Sequence, residues 1–378
     1  MSVSRPTARV EDAGLVPSGG PARIALSRVP RAPEIATAVA AARGVSAWVA
    51  DRLVVTAVPE RLIDAAGRVG GARLAGLIRG LVEPAIDAWL QGAPDVPSTG
   101  GPLPTSQRTL VMGVLNVTPD SFSDGGVALR PDEHPAPAIA AGLAMSAAGA
   151  DIVDVGGEST RPGAAPVALA EELDRVVPVV AALADAGALV SIDTTKAAVA
   201  RAAVEAGAAI VNDVSAGSLD PDLLPTVADL GVPYVLMHRR GTPETMQRDP
   251  VYADVVGEVF DFLADRLADL AAAGVPAERV IVDPGIGFGK TLDHNLEVLR
   301  RVREFTSLGR PVLIGASRKA FIGRLTEVSD PTDRLEGSLA VVALAVGAGA
   351  RLLRVHDVAA TWRAARVADA IARPSPRP

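Results

Sequence analysis

Cysteine is absent from this chain of 378 residues, so the sequence excludes disulfide bonds, thiolate metal sites and cysteine nucleophiles. The four histidines lie far apart, at positions 134, 238, 294 and 356, and lack the close spacing of a zinc site. Aromatic residues make up 3% of the chain, and the hydrophobic fraction of 49% is mostly alanine, valine and leucine. A chain without cysteine fits a reducing compartment, and we expect a cytoplasmic protein.

Excess positive charge and long hydrophobic runs are also missing. The chain carries 37 Lys and Arg against 44 Asp and Glu, a net charge of −7. Proteins that bind nucleic acids generally present basic surfaces, so the charge argues against a nucleic-acid partner. The longest apolar run, residues 338–350, is too short to span a bilayer, and the first residues have no apolar core of a signal peptide. We therefore expect no membrane partner.

Composition divides the chain into five parts. Residues 1 to about 30 are rich in Pro, Gly and Arg without periodicity, which predicts disorder. Residues 31–90 read as a small accessory domain, α/β or mostly helical, and residues 91–107 form a Pro/Gly/Ser linker. A larger domain follows at 108–372, and residues 373–378 are expected to be a disordered tail. Within the accessory domain, the patterns predict a helix at 34–50, a strand at 52–58, a helix at 60–69 and a third at 74–90, interrupted by Pro84.

From Leu110 onward, one pattern recurs eight times. A short apolar run ends in a polar residue, and an amphipathic segment rich in Ala and Leu follows. The runs are LVMGVLN, DIVDVGG, LVSIDT, AIVNDV, YVLMH, VIVDPG, VLIGAS and RLLRVHD. Near-continuous apolar strands that alternate with helices predict an α/β fold with a parallel sheet covered on both faces. Eight such units over this length predict a (β/α)8 TIM barrel. The alternative is a doubly wound open sheet, but the residues after the first strand are not a Gly-rich dinucleotide fingerprint.

Polar residues end nearly every one of these runs, and in a barrel the strand ends form the active site. One group consists of carboxylates and amides that suit the N–H edge of a heterocycle: Asp193, Asn212, Asp213 and Asp283. The other is cationic and suits an anionic group: Arg161, Arg318, Lys319, Arg354 and His356. Asn116 offers one oxygen ligand, as suits Mg²⁺ bound mainly by phosphates and water.

Structural roles remain open for several of these residues. Asp193 precedes TTKAAVA and could cap the next helix, and Asn116 could cap its own strand. The glycines of DPGIGFGK form a loop that is not a P-loop, and Lys290 at its end could be solvated.

Eight long motifs, taken in order, resemble the dihydropteroate synthase family over about residues 108–378. They are MGVLNVTPDSFSDGG, GGESTRPGA, SIDT, VNDVS, LMHRRGTPETMQ, DPGIGFGKTLDHN, IGASRKAFIG and RVHDV. The resemblance implies a pterin-binding TIM barrel and a transferase of folate biosynthesis. Its reaction would join 4-aminobenzoate to (7,8-dihydropterin-6-yl)methyl diphosphate, giving 7,8-dihydropteroate and diphosphate.

The resemblance also implies roles for individual residues. The catalytic set would be Asn116, Asp193, Lys319, Arg354 and His356, with Asn116 as the ligand of Mg²⁺. The pterin diphosphate site would comprise Thr160, Asp193, Asn212, Met237, Asp283, Lys319, Arg354 and His356. The 4-aminobenzoate site would comprise Thr160, Arg161, Pro162, Phe288, Ser317 and Lys319. A homodimer is implied as well.

Two departures from the family pattern and two rival functions need weighing. Ala320 stands where the family often has Ser, which predicts weaker anchoring of the aminobenzoate carboxylate, and Arg239 and Arg240 replace residues that are often uncharged. One rival is a pterin-dependent methyltransferase barrel, which would not need the ESTRPG, SRK and RVH motifs. The other is a non-catalytic pterin-binding paralogue, in which diphosphate residues should have been lost. The residues before 105 contain no His or Asn, so an accessory role is favoured over a second catalytic activity.

Overall fold

The computed structural model describes residues 6–11, 22–29, 32–42, 44–49, 52–57, 59–118, 135–159, 166–242 and 245–373. They form an amino-terminal unit with an antiparallel sheet, followed by a parallel barrel. The elements of the amino-terminal unit are β1 (Thr7–Val10), β2 (Ala22–Ser27), α1 (Ala32–Ala41), β3 (Val45–Val49), β4 (Arg52–Ala57) and α2 (Pro59–Gln91).

The barrel has eight strands, each of which alternates with helical segments. The strands are β5 (Leu110–Asn116), β6 (Ile152–Gly156), β7 (Val190–Asp193), β8 (Ile210–Asp213), β9 (Tyr234–Met237), β10 (Val280–Asp283), β11 (Leu313–Ile314) and β12 (Leu352–Val355). The helices are α3 (Ala136–Ala147), α4 (Leu169–Asp185), α5 (Ala197–Glu205), α6 (Leu223–Leu230), α7 (Val255–Ala272), α8 (Leu292–Arg300), α9 (Ala320–Thr326), α10 (Leu335–Gly347) and α11 (Val358–Ala372). Short 3₁₀ helices lie at Ala277–Arg279, Val302–Leu308 and Pro331–Asp333.

The eight strands are parallel and close on themselves, which confirms the predicted (β/α)8 barrel. Their order is β10-β9-β8-β7-β6-β5-β12-β11, and a parallel bridge between Val282 and Val312 joins the two ends. The strands are almost entirely buried because helices cover the outside and side chains fill the inside.

The amino-terminal sheet corrects the prediction of disorder, made for residues 1 to about 30, at residues 6–11 and 22–29. β1 and β2 pair with each other from Thr7↔Ser27 to Val10↔Ile24, and the sheet order is β1-β2-β4-β3. Residues 1–5 and 12–21 lie outside the described residues. The helices cover one face, where Ile24, Leu26 and Val55 pack with α1 and α2. Such short strands give little periodicity, and their pairing, not their composition, orders them.

The predicted helix at 34–50 is wrong in its second half. α1 ends at Ala41, and residues 45–49 form β3, which pairs with β4 in a hairpin. Gly44 lies between the two elements, and the segment that follows it, VSAWV, begins and ends with valine. Beta-branched and aromatic residues favour strands. Residues 45–49 therefore pair with β4 and do not continue the helix that the alanine-rich pattern predicted.

Pro84 does not interrupt a helix, contrary to the prediction. α2 continues through Pro84, and its one break lies at Gly71, where φ is 69° and ψ is −171°. Glycine adopts positive φ without a steric penalty, so the Gly70–Gly71 pair is the natural place for a change of direction. A proline inside a helix removes one hydrogen bond and bends the helix, and here the packing of α2 tolerates the loss.

The predicted linker at 91–107 in fact closes one end of the barrel. Val96 and Leu103 exchange backbone hydrogen bonds of 3.2 and 2.8 Å and are buried. Both pack against the first inward-facing side chains of the strands: Leu110, Met112, Ile152, Ile210, Val235, Ile281, Leu313 and Leu352. The segment therefore forms an apolar floor beneath the barrel, at the end opposite to the strand carboxyl termini.

Replacing Leu103 by Ala should test this floor. Leu103 is 3% exposed, and truncation of a buried Leu leaves a cavity, so we expect a loss of about 2–5 kcal/mol in the free energy of unfolding. Chemical denaturation measures this loss. Leu325→Ala serves as the control because Leu325 is 55% exposed, and its change should stay within about 0.5 kcal/mol. Equal effects of the two substitutions would show that the segment only connects the two units and does not stabilise the barrel.

Candidate active site

Strand register brings the predicted site residues into one layer. Asn116 pairs with Gly156, Gly156 with Asp193, and Asp193 with Asn212 across β5 to β8. On the next strands, Asp283 pairs with Met237. All these residues lie at or one residue before the carboxyl ends of their strands, where the parallel arrangement collects them on a single face.

Arg354 on β12 is the central cation of this layer. Its Nε atom lies 2.6 Å from Oδ2 of Asp154, and its Nη2 atom lies 2.6 Å from Oδ2 of Asp193. Asn212 also donates to Oδ2 of Asp154, at 3.0 Å. Burial alone would lower the pKa of Arg354, but Asp154 and Asp193 raise it above its usual value. The guanidinium thus stays charged and holds two strands' carboxylates at fixed positions.

Asp193 points into the site and does not cap the following helix. Its carboxylate contacts Arg354, and α5 begins after Lys196 without any side-chain cap. Its Oδ1 atom, like Oδ1 of Asp154, is buried and has no hydrogen-bond partner among the described residues. Burial raises the pKa of Asp193 to about 7, although Arg354 opposes this shift. A buried acceptor without a donor is costly, so it marks a position where a ligand N–H would bind.

Asp283 provides a second buried carboxylate on the opposite side of the layer. Its Oδ1 atom accepts a 2.7 Å hydrogen bond from Gly285 N, and burial raises its pKa. Met237 lies beside the same turn, with Cγ 3.4 Å from the position that a Cβ of Gly285 would occupy. That Cβ would also lie 1.9 Å from the carbonyl oxygen of His238, and φ is 70°, so glycine is required there.

Lys290 holds the loop that follows Asp283. Its Nζ atom donates to the carbonyl oxygens of Gly285 (2.9 Å) and Phe288 (3.2 Å) and contacts Nδ1 of His238 at 2.9 Å. Lys290 is buried, and burial lowers its pKa to about 7. The Lys290 amino group therefore ties the turn to His238, directly after β9, and Lys290 is not the solvated surface residue that the sequence left open.

Lys319 approaches the same loop from the next strand. Its ammonium donates to the carbonyl oxygen of Ile286 and lies 4.7 Å from the centroid of the Phe288 ring. Burial lowers the pKa of Lys319 to about 8, and Asp283 opposes this shift. Phe288 and Lys319 thus form a wall with an aromatic face and a cation, which suits a flat anionic ligand.

Two contacts join the loops after β11 and β12. Oγ of Ser317 lies 3.2 Å from the backbone N and 3.1 Å from Nδ1 of His356. Arg318 makes a bidentate pair with Asp357, at 2.9 and 2.6 Å. The two loops therefore present Ser317, Lys319 and His356 as one unit. Thr160, Arg161 and Pro162 lie outside the described residues.

Sequence reasoning noted Asp154 and Lys290 but assigned neither a role in the site. Asp154 is an acidic residue in the middle of an apolar strand, and a buried charge inside a barrel requires a partner, so its signal was present. Lys290 gave no such signal, because its burial depends on carbonyl groups and a histidine ring contributed by different turns. Arg240 of the LMHRRG motif is exposed and pairs with Glu258, away from the strand-end layer.

A metal cage built by the protein alone is missing from the described residues, among which no three His, Asp or Glu side chains are grouped to hold an ion. Mg²⁺ held mainly by substrate phosphates and water needs as little as one protein oxygen. Asn116 fits this donor set because its half-buried side chain lies at the strand ends, with Oδ1 3.8 Å from the position of a Cβ on Gly156.

A search of the described residues found no helix with the length and hydrophobicity of a membrane span.

Comparison with known proteins identifies the family to which the chain is similar. A sequence model described as "Pterin binding enzyme" matches residues 112–356. The chain is 51% identical over 266 residues to a dihydropteroate synthase of Mycobacterium leprae, which covers 69% of this chain and 92% of that protein. The amino-terminal unit β1–α2 lies before the matched region.

Solved structures agree with this assignment. Dihydropteroate synthase of Xanthomonas albilineans with 4-aminobenzoic acid superposes with a TM-score of 0.68 at 46% identity, over 75% of this chain and 100% of that one. The same enzyme in complex with 7,8-dihydropteroate gives a TM-score of 0.66 at 44% identity, with the same coverage. The chain belongs to the dihydropteroate synthase family, a family of pterin-binding transferases of folate biosynthesis.

Proposed function

We propose that the strand-end layer condenses (7,8-dihydropterin-6-yl)methyl diphosphate with 4-aminobenzoate to give 7,8-dihydropteroate and diphosphate. The observation that carries the proposal is the buried Oδ1 of Asp193, which has no hydrogen-bond partner among the described residues and lies beside Asn212, in a layer that also holds the buried Asp283. A pterin presents adjacent N–H groups on its ring edges and would satisfy these acceptors. The alternatives of apolar or purely phosphorylated ligands would leave them unpaired.

The pterin site would use the carboxylates and the amide as hydrogen-bonding partners and Met237 as an apolar contact. Asp283 would accept from the aminopyrimidinone edge, while Asp193 and Asn212 would bind the other side of the ring. Lys319, whose charge interacts with Asp283 and whose ammonium lies 4.7 Å from the centroid of the Phe288 ring, would donate to the pterin carbonyl side. A ligand N–H facing a charged carboxylate forms a stronger hydrogen bond than a neutral pair does.

The diphosphate would bind at Arg354, His356 and Asn116, with Thr160 contributing from outside the described residues. Arg354 already contacts two carboxylates, so the incoming diphosphate would share its remaining N–H groups. Mg²⁺, held by Asn116 together with phosphate and water oxygens, would neutralise charge on the leaving group.

The aminobenzoate would lie against Phe288, with Ser317 and Lys319 beside it and with Thr160, Arg161 and Pro162 from the loop after β6. Lys196 supports the described ends of that loop, because its ammonium donates to both Glu158 and the carbonyl oxygen of Val167. Ala320 is exposed at the first residue of α9 and offers no hydroxyl to the carboxylate. We therefore assign the anionic end of the ligand to Ser317 and the arginine of the ESTRPG motif.

The chemistry asks for leaving-group stabilisation more than for a base. The aniline nitrogen is neutral at pH 7 and attacks the pterin methylene carbon, forming the C–N bond while the C–O bond to diphosphate breaks. The nitrogen then loses a proton, which the diphosphate or water can accept. Cations around the diphosphate favour its departure, and Asp193 and Asp283 stabilise the positive charge that develops on the pterin. Exclusion of water protects that electrophilic carbon from hydrolysis.

Diphosphate release by the purified chain, with pterin diphosphate and Mg²⁺, tests the proposal directly. Release that depends on 4-aminobenzoate, together with formation of dihydropteroate, is the expected result. Pterin binding without turnover would favour the non-catalytic paralogue, and methyl transfer from a methylated folate would favour the methyltransferase barrel. The presence of Asn116, Lys319, Arg354 and His356 argues against both.

Two further features belong to the proposal. We propose a homodimer through α10 and α11, because Leu344, Val367 and Ile371 on these adjacent helices are 73%, 62% and 79% exposed. Large apolar side chains grouped on a surface are typical of an interface. The cytoplasm, expected from the cysteine-free composition, is the compartment that we propose for the reaction.

Asp283→Asn should weaken pterin binding by about 1–3 kcal/mol, because the amide presents a donor to a ligand N–H and leaves both groups unpaired. Titration calorimetry with a pterin measures the change. Asp229→Asn is a matched control, since that side chain is 72% exposed and lies on α6. Unchanged affinity in the Asp283 variant would refute the pocket assignment.

The pH dependence of kcat/KM for pterin diphosphate should report Lys319. Its pKa is lowered to about 8, so the ammonium is present below that pH and is lost as the pH rises through it. We therefore expect activity to fall above about pH 8 in the unmodified chain. Lys319→Arg keeps its charge throughout, so its profile should stay flat on the alkaline side even if its overall rate is lower. An identical alkaline decline in both proteins would assign the titration to another group.

Leu344→Glu should weaken the dimer, because it places a charge in the proposed apolar interface. Sedimentation equilibrium of the full chain measures the dissociation constant, which we expect to rise at least about tenfold, the equivalent of 1.4 kcal/mol. Leu325→Glu on α9 is the control, since Leu325 is similarly exposed but lies outside the α10–α11 surface. Equal constants for all three proteins would place the interface elsewhere.

A further inference from the structure

The amino-terminal unit docks on the barrel through a buried arginine. Arg9 on β1 is 2% exposed and lies 2.8 Å from Glu304, which is itself 2% exposed. Arg9 also donates to Glu11 at 2.9 Å and lies 3.6 Å from Asp254. Arg301 completes the group, 2.7 Å from Glu304 and 3.5 Å from Asp254. We call these five residues the Arg9 cluster.

Charge balance makes the Arg9 cluster sensitive to the loss of one member. Burial raises the pKa of Glu304, and Arg301 and Arg9 oppose that shift. Three carboxylates surround two guanidinium groups, so removal of Arg9 leaves Arg301 alone against all three. Buried ion pairs that lose one partner are strongly destabilised, and the remaining groups rearrange to reach water.

The cluster lies where two barrel helices meet their loops. Asp254 caps the start of α7 by accepting from Gly257 N at 3.1 Å, and Arg301 directly follows α8. α8 in turn begins two residues after Lys290, the anchor of the loop that carries Phe288. Arg9 therefore contacts the start of one helix and, through Glu304, the end of the next.

The residues just before Asp254 lie directly against the Phe288 loop. Tyr252 donates its hydroxyl to the carbonyl oxygen of Gly289 at 2.8 Å, and Gln247 donates to that of Gly287 at 2.7 Å. Arg240 stacks on the Tyr252 ring at 3.9 Å and pairs with Glu258 on α7. The two hydrogen bonds hold the residues on either side of Phe288, Gly287 and Gly289, in place.

We infer that the amino-terminal unit is a positioning module for the 4-aminobenzoate site, which acts through Arg9 on the segment 245–254 and thereby on Phe288. Arg9 is a positioning residue and touches no substrate. The inference rests on the proposed assignment of Phe288 to aminobenzoate binding. It gives the unit, which lies before the family match, a role in the family's own reaction instead of a separate activity.

Arg9→Met tests the inference in the full chain, with steady-state kinetics for both substrates. We expect KM for 4-aminobenzoate to rise about threefold to tenfold, in the range of couplings carried by packed networks, while KM for pterin diphosphate stays within about twofold. Arg9→Lys, which retains a cation, should recover part of the loss. Hydrogen exchange of the backbone amides of 245–254 should accelerate in Arg9→Met.

Arg28→Met is the matched control. Arg28 also joins the unit to α7, through Asp265 at 2.5 Å and Asp261 at 3.7 Å, but it lies away from the start of that helix. We expect its aminobenzoate KM to be unchanged. An unchanged KM in Arg9→Met, or equal increases in both variants, would overturn the inference and leave the unit as a docking element alone. Glu11→Gln, a milder change in the same cluster, replaces Arg9→Met if the latter does not fold.

Phe288→Ala in the otherwise unmodified chain separates this inference from the proposed site. If that variant binds 4-aminobenzoate normally, the assignment of Phe288 fails, whatever Arg9→Met does. A raised KM in Phe288→Ala together with a normal KM in Arg9→Met would retain the site and reject the role of the amino-terminal unit.

Discussion

The contact between Arg354 and the carboxylates of Asp154 and Asp193 is the constraint on which the site depends. Closure of the barrel brings acidic residues of β6, β7 and β10 into one poorly solvated region, and their mutual repulsion must be offset. Arg354 on β12 offsets it for Asp154 and Asp193, to which it is ion-paired. Because each carboxylate gives one oxygen to Arg354, the other oxygen remains available. The ion pairs thus hold the acceptors in position before a ligand arrives, which reduces the ordering cost of binding.

The opposite wall of the site is rigid for a different reason. Its backbone turns sharply at Gly285, where any side chain would collide with β9, and Lys290 then ties the carbonyl groups of the turn to His238. Burial keeps the pKa of His238 well below its usual value, so the ring accepts from the ammonium and adds no second charge. The buried amino group of Lys290 has three hydrogen-bonding contacts, so a displaced turn would leave buried polar groups unpaired.

Sequence patterns predicted the features that repeat, and missed those that depend on contacts between distant segments. Eight apolar runs with polar ends predicted the barrel. They also predicted that Asp193, Asn212 and Asp283 lie in one layer, because parallel strands in register place their carboxyl ends on the same face. The strands Thr7–Val10 and Ala22–Ser27 were missed because four to six residues carry little periodicity without their partners. The pattern predicted a linker for Val96 and Leu103 because nothing local in the sequence reveals that they pack under the barrel and form its floor.

The same distinction explains how an added unit can influence an established site. β1 presents alternate residues to two sides: Val10 packs with Ala85 on α2, while Thr7 donates to Asp261 on α7 and Arg9 joins Glu304. The sheet is therefore held between its own helices and the barrel wall, and its buried charges cannot shift independently of α7 and α8. α8 starts two residues after Lys290, and Tyr252, two residues before Asp254, donates to the carbonyl oxygen of Gly289. Because Arg9 lies 3.6 Å from Asp254, we expect a displacement at Arg9 to reach the turn that carries Phe288. Packed interiors transmit such displacements because they contain little free volume to absorb them.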